Sequence, residues 1–145
     1  MIKIEDIYNS VTALLKSKYP TFTTHNHETK EGFSKPSFFV SIIPITNSND
    51  SINFKSKAFT IVITYFQSKV DKIENMQKAD EIIELFGYFI TVNGRNIRVT
   101  DSDYELVGEK TNILQVSVNI EYLQANERTE TSKVAQSLSL NEEKR

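Results

Sequence analysis

The segment Glu31-Gly32-Phe33-Ser34-Lys35-Pro36-Ser37-Phe38-Phe39-Val40 contains a glycine and a proline shortly before an apolar run. Gly32 can adopt the positive φ that other residues avoid. Pro36 fixes its own φ and disfavours helical geometry at Lys35. The pattern predicts a turn that leads into a strand, and Pro44 is predicted to end that strand.

Two strands with alternating faces are predicted around this start. One set of side chains is expected to face the core: Phe38, Val40, Ile42, Phe59, Ile61, Ile63 and Tyr65. The neighbouring positions point to the second face of the sheet. The segment Thr46–Ser56 between the strands is rich in Asn, Ser and Asp and is predicted to be a protruding β-loop, too long and too polar for a tight turn.

Two helices are predicted from apolar residues at spacings of three and four. The first begins near Ile4 and is ended by Pro20. Thr21 to Lys30 then reads as a short edge strand. The second helix is predicted to begin at Asp71, in a capping box with Glu74. Its apolar stripe is expected to contain Ile73, Met76, Ala79, Ile82, Ile83 and Phe86, with Gly87 as its C-cap.

The rest of the chain predicts more strands and a polar end. Asn93-Gly94 favours a type I′ hairpin turn. Ile113–Leu123 alternates almost perfectly and predicts the last strand. The fold class is therefore α+β, a mainly antiparallel sheet with two helices packed on one face. This domain is assigned to residues 1–123, followed by a polar C-terminal extension over residues 124–145.

Composition excludes several classes of protein. The formal charge is −2, from 17 basic and 19 acidic residues, so no dominant field favours a polyanionic or polycationic partner. The chain contains no cysteine, which excludes a disulfide scaffold and a thiolate metal site. No signal peptide or bilayer-spanning run is recognisable, so a soluble protein made in the cytosol is expected.

Candidate chemical sites are weak. His25 and His27 share a face of the predicted edge strand with Glu28 nearby, but no third ligand has a fixed spacing, and a solvated strand is favoured over a metal site. Asp101 and Asp103, followed by Glu105, lack the glycine and distant glutamate of a calcium loop and are predicted to form a polar turn. No catalytic, cofactor-binding or metal-binding residues are assigned.

A nucleic-acid surface is the other charged possibility. Its candidate cations are Lys30, Lys35, Lys55, Lys57, Arg95 and Arg98. Tight phosphate binding needs many uncompensated cations, and this chain is close to neutral. Ordinary solvated charge is therefore the favoured interpretation of these residues.

Residues along most of the chain resemble the phage tail terminator family. The resemblance covers residues 1–124. Besides the stretch quoted above, it is carried by Tyr65-Phe66, Asp71, Ala79, Asp80, Leu85-Phe86, Leu114-Gln115 and Tyr122. It implies a structural protein without enzymatic activity or cofactor. It also implies a homo-oligomeric ring, by family habit a hexamer, that caps the head-proximal end of a tail tube in contractile-tailed phages and phage-derived particles.

The resemblance also implies partners and a location. The ring would stop tail polymerisation and present a surface to the neck or head. The implied partners are the tail tube protein, the tail sheath protein and a neck or head-completion protein, with DNA only as cargo passing through the ring and no membrane. The implied location is the virion tail or neck, after assembly in the cytoplasm of the bacterial host. The alternatives are another neck, head-tail connector or tail-completion protein and, disfavoured by the lack of convergent polar groups, a small-ligand-binding protein or enzyme.

Interface candidates follow from predicted exposure and shape. They comprise Phe33 and Lys35 before the first long strand, Asn47, Asp50, Phe54 and Lys55 in the long loop, Phe39, Ile43, Val62 and Phe66 on the second face, and Val134 and Leu138 in the extension. Large apolar groups on the second face suggest a surface buried against another protein. The alternative is a patch covered by the chain's own loops or C-terminal extension. Val134 and Leu138 are four residues apart, which permits a short helix docked on a neighbour.

Overall fold

The computed structural model describes residues 2–25, 36–67, 71–108 and 113–125. Within these ranges it contains two helices and six strands. In chain order they are α1 (Ile4–Lys18), β1 (Thr23–His25), β2 (Ser37–Asn49), β3 (Phe54–Phe66), α2 (Lys72–Phe86), β4 (Phe89–Val92), β5 (Arg95–Val107) and β6 (Ile113–Ala125).

The strands form one sheet in the order β1-β2-β3-β6-β5-β4. The pair β1 and β2 is parallel, and every other pair of neighbours is antiparallel. The predicted α+β fold with a mainly antiparallel sheet is therefore confirmed. The hairpin between β4 and β5 turns at Asn93 and Gly94, whose φ values are 51° and 79°, as the sequence predicts.

Both helices pack on the same face of the sheet, which we call the helical face. Its rows of side chains run from Phe38 and Val40 on β2 through Ile61 and Ile63 on β3 to β6. The β6 residues of this face are Leu114, Val116, Val118, Ile120 and Tyr122, all buried. Full burial of each large aliphatic side chain stabilises the fold by about 1.5–3 kcal/mol, so these rows hold the two layers together.

The helix ends are capped by local side chains. In α1, the backbone N–H of Lys3 donates to Asp6 Oδ2 at 2.8 Å. In α2, Asp71 Oδ1 accepts from the backbone N–H groups of Ile73 and Glu74. The predicted second half of this capping box is wrong, because Gln67 Oε1 takes the Asp71 N–H at 2.8 Å and Glu74 accepts from the Tyr65 hydroxyl instead.

The buried face of α2 differs from the predicted stripe. Asn75, Ala79, Ile82 and Phe86 are buried, whereas the side chains of Ile73 and Met76 are 69% and 47% exposed. The buried set keeps spacings of three and four residues but starts from a polar residue. A search for apolar residues at helical spacing therefore cannot identify this buried face. Gly87 follows with a φ of 60°, which agrees with its predicted role after the helix.

Two predicted strand ends are wrong. Pro44 does not end β2, which continues to Asn49 past an irregularity between Pro44 and Thr46. The predicted polar turn at Asp101 and Asp103 is likewise part of β5, where a similar irregularity separates Val99 from Asp101. In both places one residue, Ile45 or Thr100, is left out of the pairing, as in a β-bulge, and the strand continues beyond it.

The predicted end of the domain and the predicted edge strand also differ from what the structure describes. β6 extends to Ala125, two residues beyond the proposed domain end at residue 123. Of the predicted edge strand over residues 21–30, Thr23–His25 forms β1, and residues 26–30 lie outside the described ranges. In the described part of the chain, neither helix is long and apolar enough to cross a membrane.

Candidate assembly surfaces

The face of the sheet opposite the helices, which we call the outer face, carries the four predicted apolar contact residues. The strand register places Ile43 opposite Thr60 and Phe39 opposite Thr64, and alternation puts Val62 and Phe66 on the same side. Ile43 is 46% exposed, and Val62 and Phe66 are half-buried. Phe39 is only 8% exposed and meets Phe66 edge to face at 5.1 Å between ring centroids. Phe39 is therefore largely covered within the subunit, and its part in a contact between copies stays a prediction.

The centre of the outer face is polar. Thr60 Oγ1 donates to Asn119 Oδ1 at 2.5 Å, and Asn119 Nδ2 donates to Asp101 Oδ1 at 2.9 Å. Ser117 and Gln115 continue this surface along β6. The apolar part is therefore confined to the β2–β3 side of the face, so the outer face is a smaller apolar patch than the sequence suggested.

The end of the β2–β3 hairpin is called the arm and is defined as residues 44–56; on its β3 side it stays paired with β6 as far as Phe54 and Ala125. The predicted loop is instead a paired ribbon, since Asn47 pairs with Lys57 and Asn49 with Lys55. The connection itself spans only residues 50–53. Asp50 holds this turn, because its carboxylate accepts hydrogen bonds from the hydroxyl groups of Ser48 and Ser56.

Exposed apolar side chains concentrate on this arm. Ile45, Ile52 and Phe54 are 61%, 59% and 48% exposed. Leu123 on the neighbouring β6 is 53% exposed and sits opposite Ser56. A groove of about 250 Å³ opens beside them, between Thr46, Ser56, Ala58, Arg98, Glu121 and Leu123. An exposed apolar cluster next to a groove is typical of a protein contact surface.

The predicted arm residues divide into two roles. Phe54 and Asn47 are both exposed. Lys55 is half-buried and paired with Gln124 on β6. Asp50 is committed to the turn, so its direct effect is on the shape of the arm. Sequence reasoning missed Ile45, because the proline before it was taken as the end of the strand.

Four predicted contact residues cannot be placed. Phe33 and Lys35 lie outside the described ranges, as do Val134 and Leu138. The predicted short helix containing Val134 and Leu138 also falls outside them.

An aromatic cluster with a buried cation lies between α2 and the start of the sheet. Lys78 Nζ is 4.5 Å from the ring centroid of Tyr19, 5.3 Å from that of Phe22 and 5.6 Å from that of Tyr65. Its side chain is 12% exposed and forms an ion pair with Glu81 at 3.4 Å. Residue spacing does not predict this contact, because Tyr19 and Phe22 follow α1, Tyr65 lies on β3 and Lys78 lies on α2.

The same cluster perturbs two tyrosines. Burial raises the pKa of Tyr19 to about 12, and the nearby Glu81 adds to the shift. Burial also raises the pKa of Tyr65, followed by its hydrogen bond to Glu74 at 3.1 Å. Both shifts have a structural cause in the packed core and keep the hydroxyl groups protonated.

The structure does not bring the described candidates for a metal site or a nucleic-acid surface together. Among the described residues, no group of three or more His, Asp or Glu side chains is arranged to hold a metal ion. Asp101, Asp103 and Glu105 line up along one strand of the outer face. The described basic residues are divided between faces, since Lys57 pairs with Tyr122 on the helical side and Arg98 with Glu121 on the outer side.

Comparisons with known proteins agree with this picture. A family model described as "Phage tail terminator protein" matches residues 6–132. No curated protein matches the chain. A solved protein structure is similar at a TM-score of 0.51 and 12% identity, covering 89% of this chain and 99% of its own, which supports the fold alone. The family is one of structural proteins of the virion tail that interact with other tail components, and the chain belongs to this phage tail terminator family.

Proposed function

We propose that this protein forms a homo-oligomeric ring, a hexamer, that caps the head-proximal end of a tail tube. The observation that carries the proposal is the family match over residues 6–132, which includes α1 from its third residue, all of α2 and the whole sheet. The partners are the tube protein below, the sheath protein around it and a neck or head-completion protein above. DNA passes through the ring only as cargo.

The arm is the proposed contact with the tube or with the next subunit of the ring. Its exposed residues Ile45, Ile52 and Phe54 offer apolar area that does not contribute to the helical core. Burial of such area on assembly is favourable by about 25 cal/mol per Å² before the costs of association. The outer patch at Ile43, Val62 and Phe66 is the second proposed contact between copies.

The mechanism is geometric. One side of the ring binds the growing end of the tube, and the opposite side offers no matching surface for another tube ring. Polymerisation then stops because the added layer is complementary on one side only. The side of the ring that faces away from the tube is then available to bind the neck protein.

Tube assembly in the presence of the purified protein tests this proposal. The tube protein encoded with it is allowed to polymerise with and without the terminator at less than one copy per tube subunit. We expect shorter tubes with a ring at one end, because each capped end stops growing. An unrelated protein of similar size is the control. Unchanged tube lengths without bound protein would contradict the proposal.

A further inference from the structure

Carboxylates gather on the β5 side of the outer face. The pairing of β5 with β6 places Asp101, Asp103 and Glu105 on this face, because their β6 partners alternate with the buried residues of that strand. All three residues are exposed. We call them the acidic stripe.

The other charges on the outer face do not neutralise this stripe. Along the described strands of this face, the remaining charged residues are Arg98 and Glu121. They are cross-strand neighbours of opposite sign, so their charges offset each other. Asp101 accepts a hydrogen bond from a β6 amide group at 2.9 Å. Among the described residues, the side chains of Asp103 and Glu105 have no ion pair or hydrogen bond.

Three cations lie on the helical face, where the arm joins the sheet. Lys55 pairs with Gln124 on β6, and Lys57 pairs with Tyr122. The guanidinium group of Arg95 lies over the Tyr122 ring, 5.4 Å from its centroid. Arg95 is exposed, and the two lysines are half-buried. We call Lys55, Lys57 and Arg95 the basic patch.

The neighbours of this patch are polar and uncharged. On β2 both lysines pair with asparagines, and on β6 they pair with Gln124 and Tyr122. Among the described residues, neither the Tyr122 hydroxyl nor Gln124 Oε1 has a hydrogen-bond partner, although both atoms are buried. Buried polar groups are costly when they are left unpaired. The patch therefore combines positive charge with polar groups whose interactions are incomplete within the described subunit.

The stripe and the patch cannot meet within one subunit. They lie on opposite faces, so the sheet separates them. Lys55 is level with Gln124 on β6, and Glu105 is level with Gln115. The distance between these two levels is about 30 Å along the strand. The opposite charges can therefore be matched only between molecules.

Charge also selects how two copies can meet. In a two-fold contact, both copies use the same surface. Because the stripe and the patch lie on opposite faces, such a contact would bring like charges together, which is unfavourable. A head-to-tail contact instead places the patch of one copy on the stripe of the next. Contacts of this kind close into rings when the rotation between copies allows it.

We propose that the basic patch of one copy docks on the acidic stripe of the next copy in the ring. The proposal rests on the ring proposed above and names the surfaces that join its subunits. Lys55 and Lys57 are two residues apart on one face of β3, as Asp103 and Glu105 are on β5. Each pair therefore spans about 7 Å, so that both lysines face a carboxylate at the same time.

Nucleic acid is the other anion that a basic patch can bind. Tight binding to phosphates needs many uncompensated cations, whereas this patch offers three. The chain itself carries carboxylates at the matching spacing. A second copy is therefore the occupant that the charges favour.

Charge reversal on each surface tests the contact. The stripe variant is Asp103→Lys with Glu105→Lys, and the patch variant is Lys55→Glu with Lys57→Glu. Each variant alone is expected to weaken association between copies roughly a hundredfold, which is about tenfold for each reversed residue. Sedimentation velocity measures the fraction of rings, and circular dichroism checks that each variant is folded.

A mixture of the two variants tests whether the surfaces meet each other. The stripe variant is positive on both surfaces, and the patch variant is negative on both. In a ring of alternating variants every contact again joins opposite charges, and a hexamer can alternate because its number of copies is even. We expect the mixture to form rings with equal numbers of both variants, measured by native mass spectrometry.

Neutral variants keep the test open if a reversed variant does not fold. Asp103→Asn with Glu105→Gln, and Lys55→Gln with Lys57→Gln, remove the attraction without adding repulsion. Each is expected to weaken association roughly tenfold. Higher salt is expected to weaken the association of the unmodified protein in the same direction, because salt screens exposed charges.

Control variants make the same changes in net charge away from both surfaces. One is Asp80→Lys with Glu84→Lys on α2. The other is Lys16→Glu on α1 with Lys72→Glu on α2. All four positions are exposed. Each control is expected to form rings alone.

The results separate this contact from the ring itself. Rings that form normally with either reversed variant alone would overturn the contact and leave the proposed ring intact. Folded variants that fail both alone and in the mixture would also overturn the contact. Unmodified protein that stays a single subunit at every concentration and salt would contradict the ring and the contact together. Loss of binding to duplex DNA as the only effect of the patch variant would assign the patch to nucleic acid and overturn the proposal.

Discussion

Lys78 shows how one charged side chain joins α2 to the sheet. Its ammonium group lies within 5.6 Å of three aromatic centroids and pairs with Glu81. The rings supply a favourable field for a cation that burial would otherwise penalise. The charge is therefore part of the core and is not a free surface charge.

Lys78→Met tests this role by keeping the length of the side chain and removing the charge. We expect a loss of about 1 kcal/mol in the free energy of unfolding, the scale of a partly desolvated cation–π contact. Urea unfolding followed by circular dichroism measures it. Lys72→Met on the exposed first turn of α2 is the control, with an expected change within about 0.5 kcal/mol. Equal losses in the free energy of unfolding in both variants would contradict a stabilising contribution from the rings.

Tyr19 gives a dependence of stability on pH. The pKa of Tyr19 is raised from 10 to about 12 in the folded protein, so folding favours the protonated form. The unfolded chain therefore loses this proton at lower pH than the folded chain does. Its contribution to stability is complete below pH 10 and decreases as the pH rises from 10 to 12.

Thermal unfolding between pH 9 and about 12 checks this prediction. The decrease in melting temperature above pH 10 is expected to be smaller for Tyr19→Phe than for the unmodified protein, since one titrating group is removed. Tyr88→Phe is the comparison, because Tyr88 is 89% exposed. A pH profile unaffected by Tyr19→Phe would contradict the assignment.

At the scale of single elements, the arm is expected to contribute to assembly but little to the stability of the folded subunit. Ile52 and Phe54 are exposed and do not belong to the hydrophobic core between the helices and the sheet. Their replacement by serine is expected to change the free energy of unfolding by less than about 1 kcal/mol. The same replacement removes apolar area from the proposed contact with the tube.

Complementation of a phage that lacks this gene tests the arm directly. We expect Ile52→Ser with Phe54→Ser to fail to restore normal tail length, although the protein is folded and present. Ile73→Ser on α2 removes an isoleucine that is even more exposed but lies away from the arm, and this variant is expected to restore normal tail length. Normal tails with the arm variant, or the same defect with both variants, would count against the arm.

Element prediction from the sequence succeeded where the pattern was local. The alternation in Ile113–Leu123 gave the buried and outer sides of β6, and Asn93-Gly94 gave the turn between β4 and β5. It failed at Pro44 and at Asp101, because a bulge depends on the neighbouring strand and leaves little mark in the sequence itself.

The contact surfaces were harder to predict for the same reason. The face of Phe39 was predictable from alternation, but its burial depends on Phe66 and on the strand beside it. The exposure of Ile73 and Met76 follows from the rotation of α2 over the sheet, which Asn75 and Ala79 set. Such tertiary details are not encoded in residue spacing alone.

At the scale of the whole molecule, the subunit is a two-layer domain. Its outer face is polar at the centre and apolar on the β2–β3 side, and further apolar residues are exposed on the arm. Ile43→Lys places a charge on the outer patch without entering the core, since the side chain is 46% exposed. We expect it to shift purified protein from rings to single subunits in light scattering. Thr91→Lys on β4 is the control, because Thr91 is an exposed residue of the same outer face near the opposite edge of the sheet. Rings that persist in the Ile43 variant would exclude this patch from the contact between copies.

The length of tails made without this protein shows whether the protein caps the tail tube. Particles from cells in which the gene is inactivated, with the gene supplied again as the control, are measured by electron microscopy. If the protein caps the tube, the tails are overlong and variable in length and lack heads, and the supplied gene restores a single length. Tails of normal, uniform length with heads attached in the absence of the protein would contradict the account.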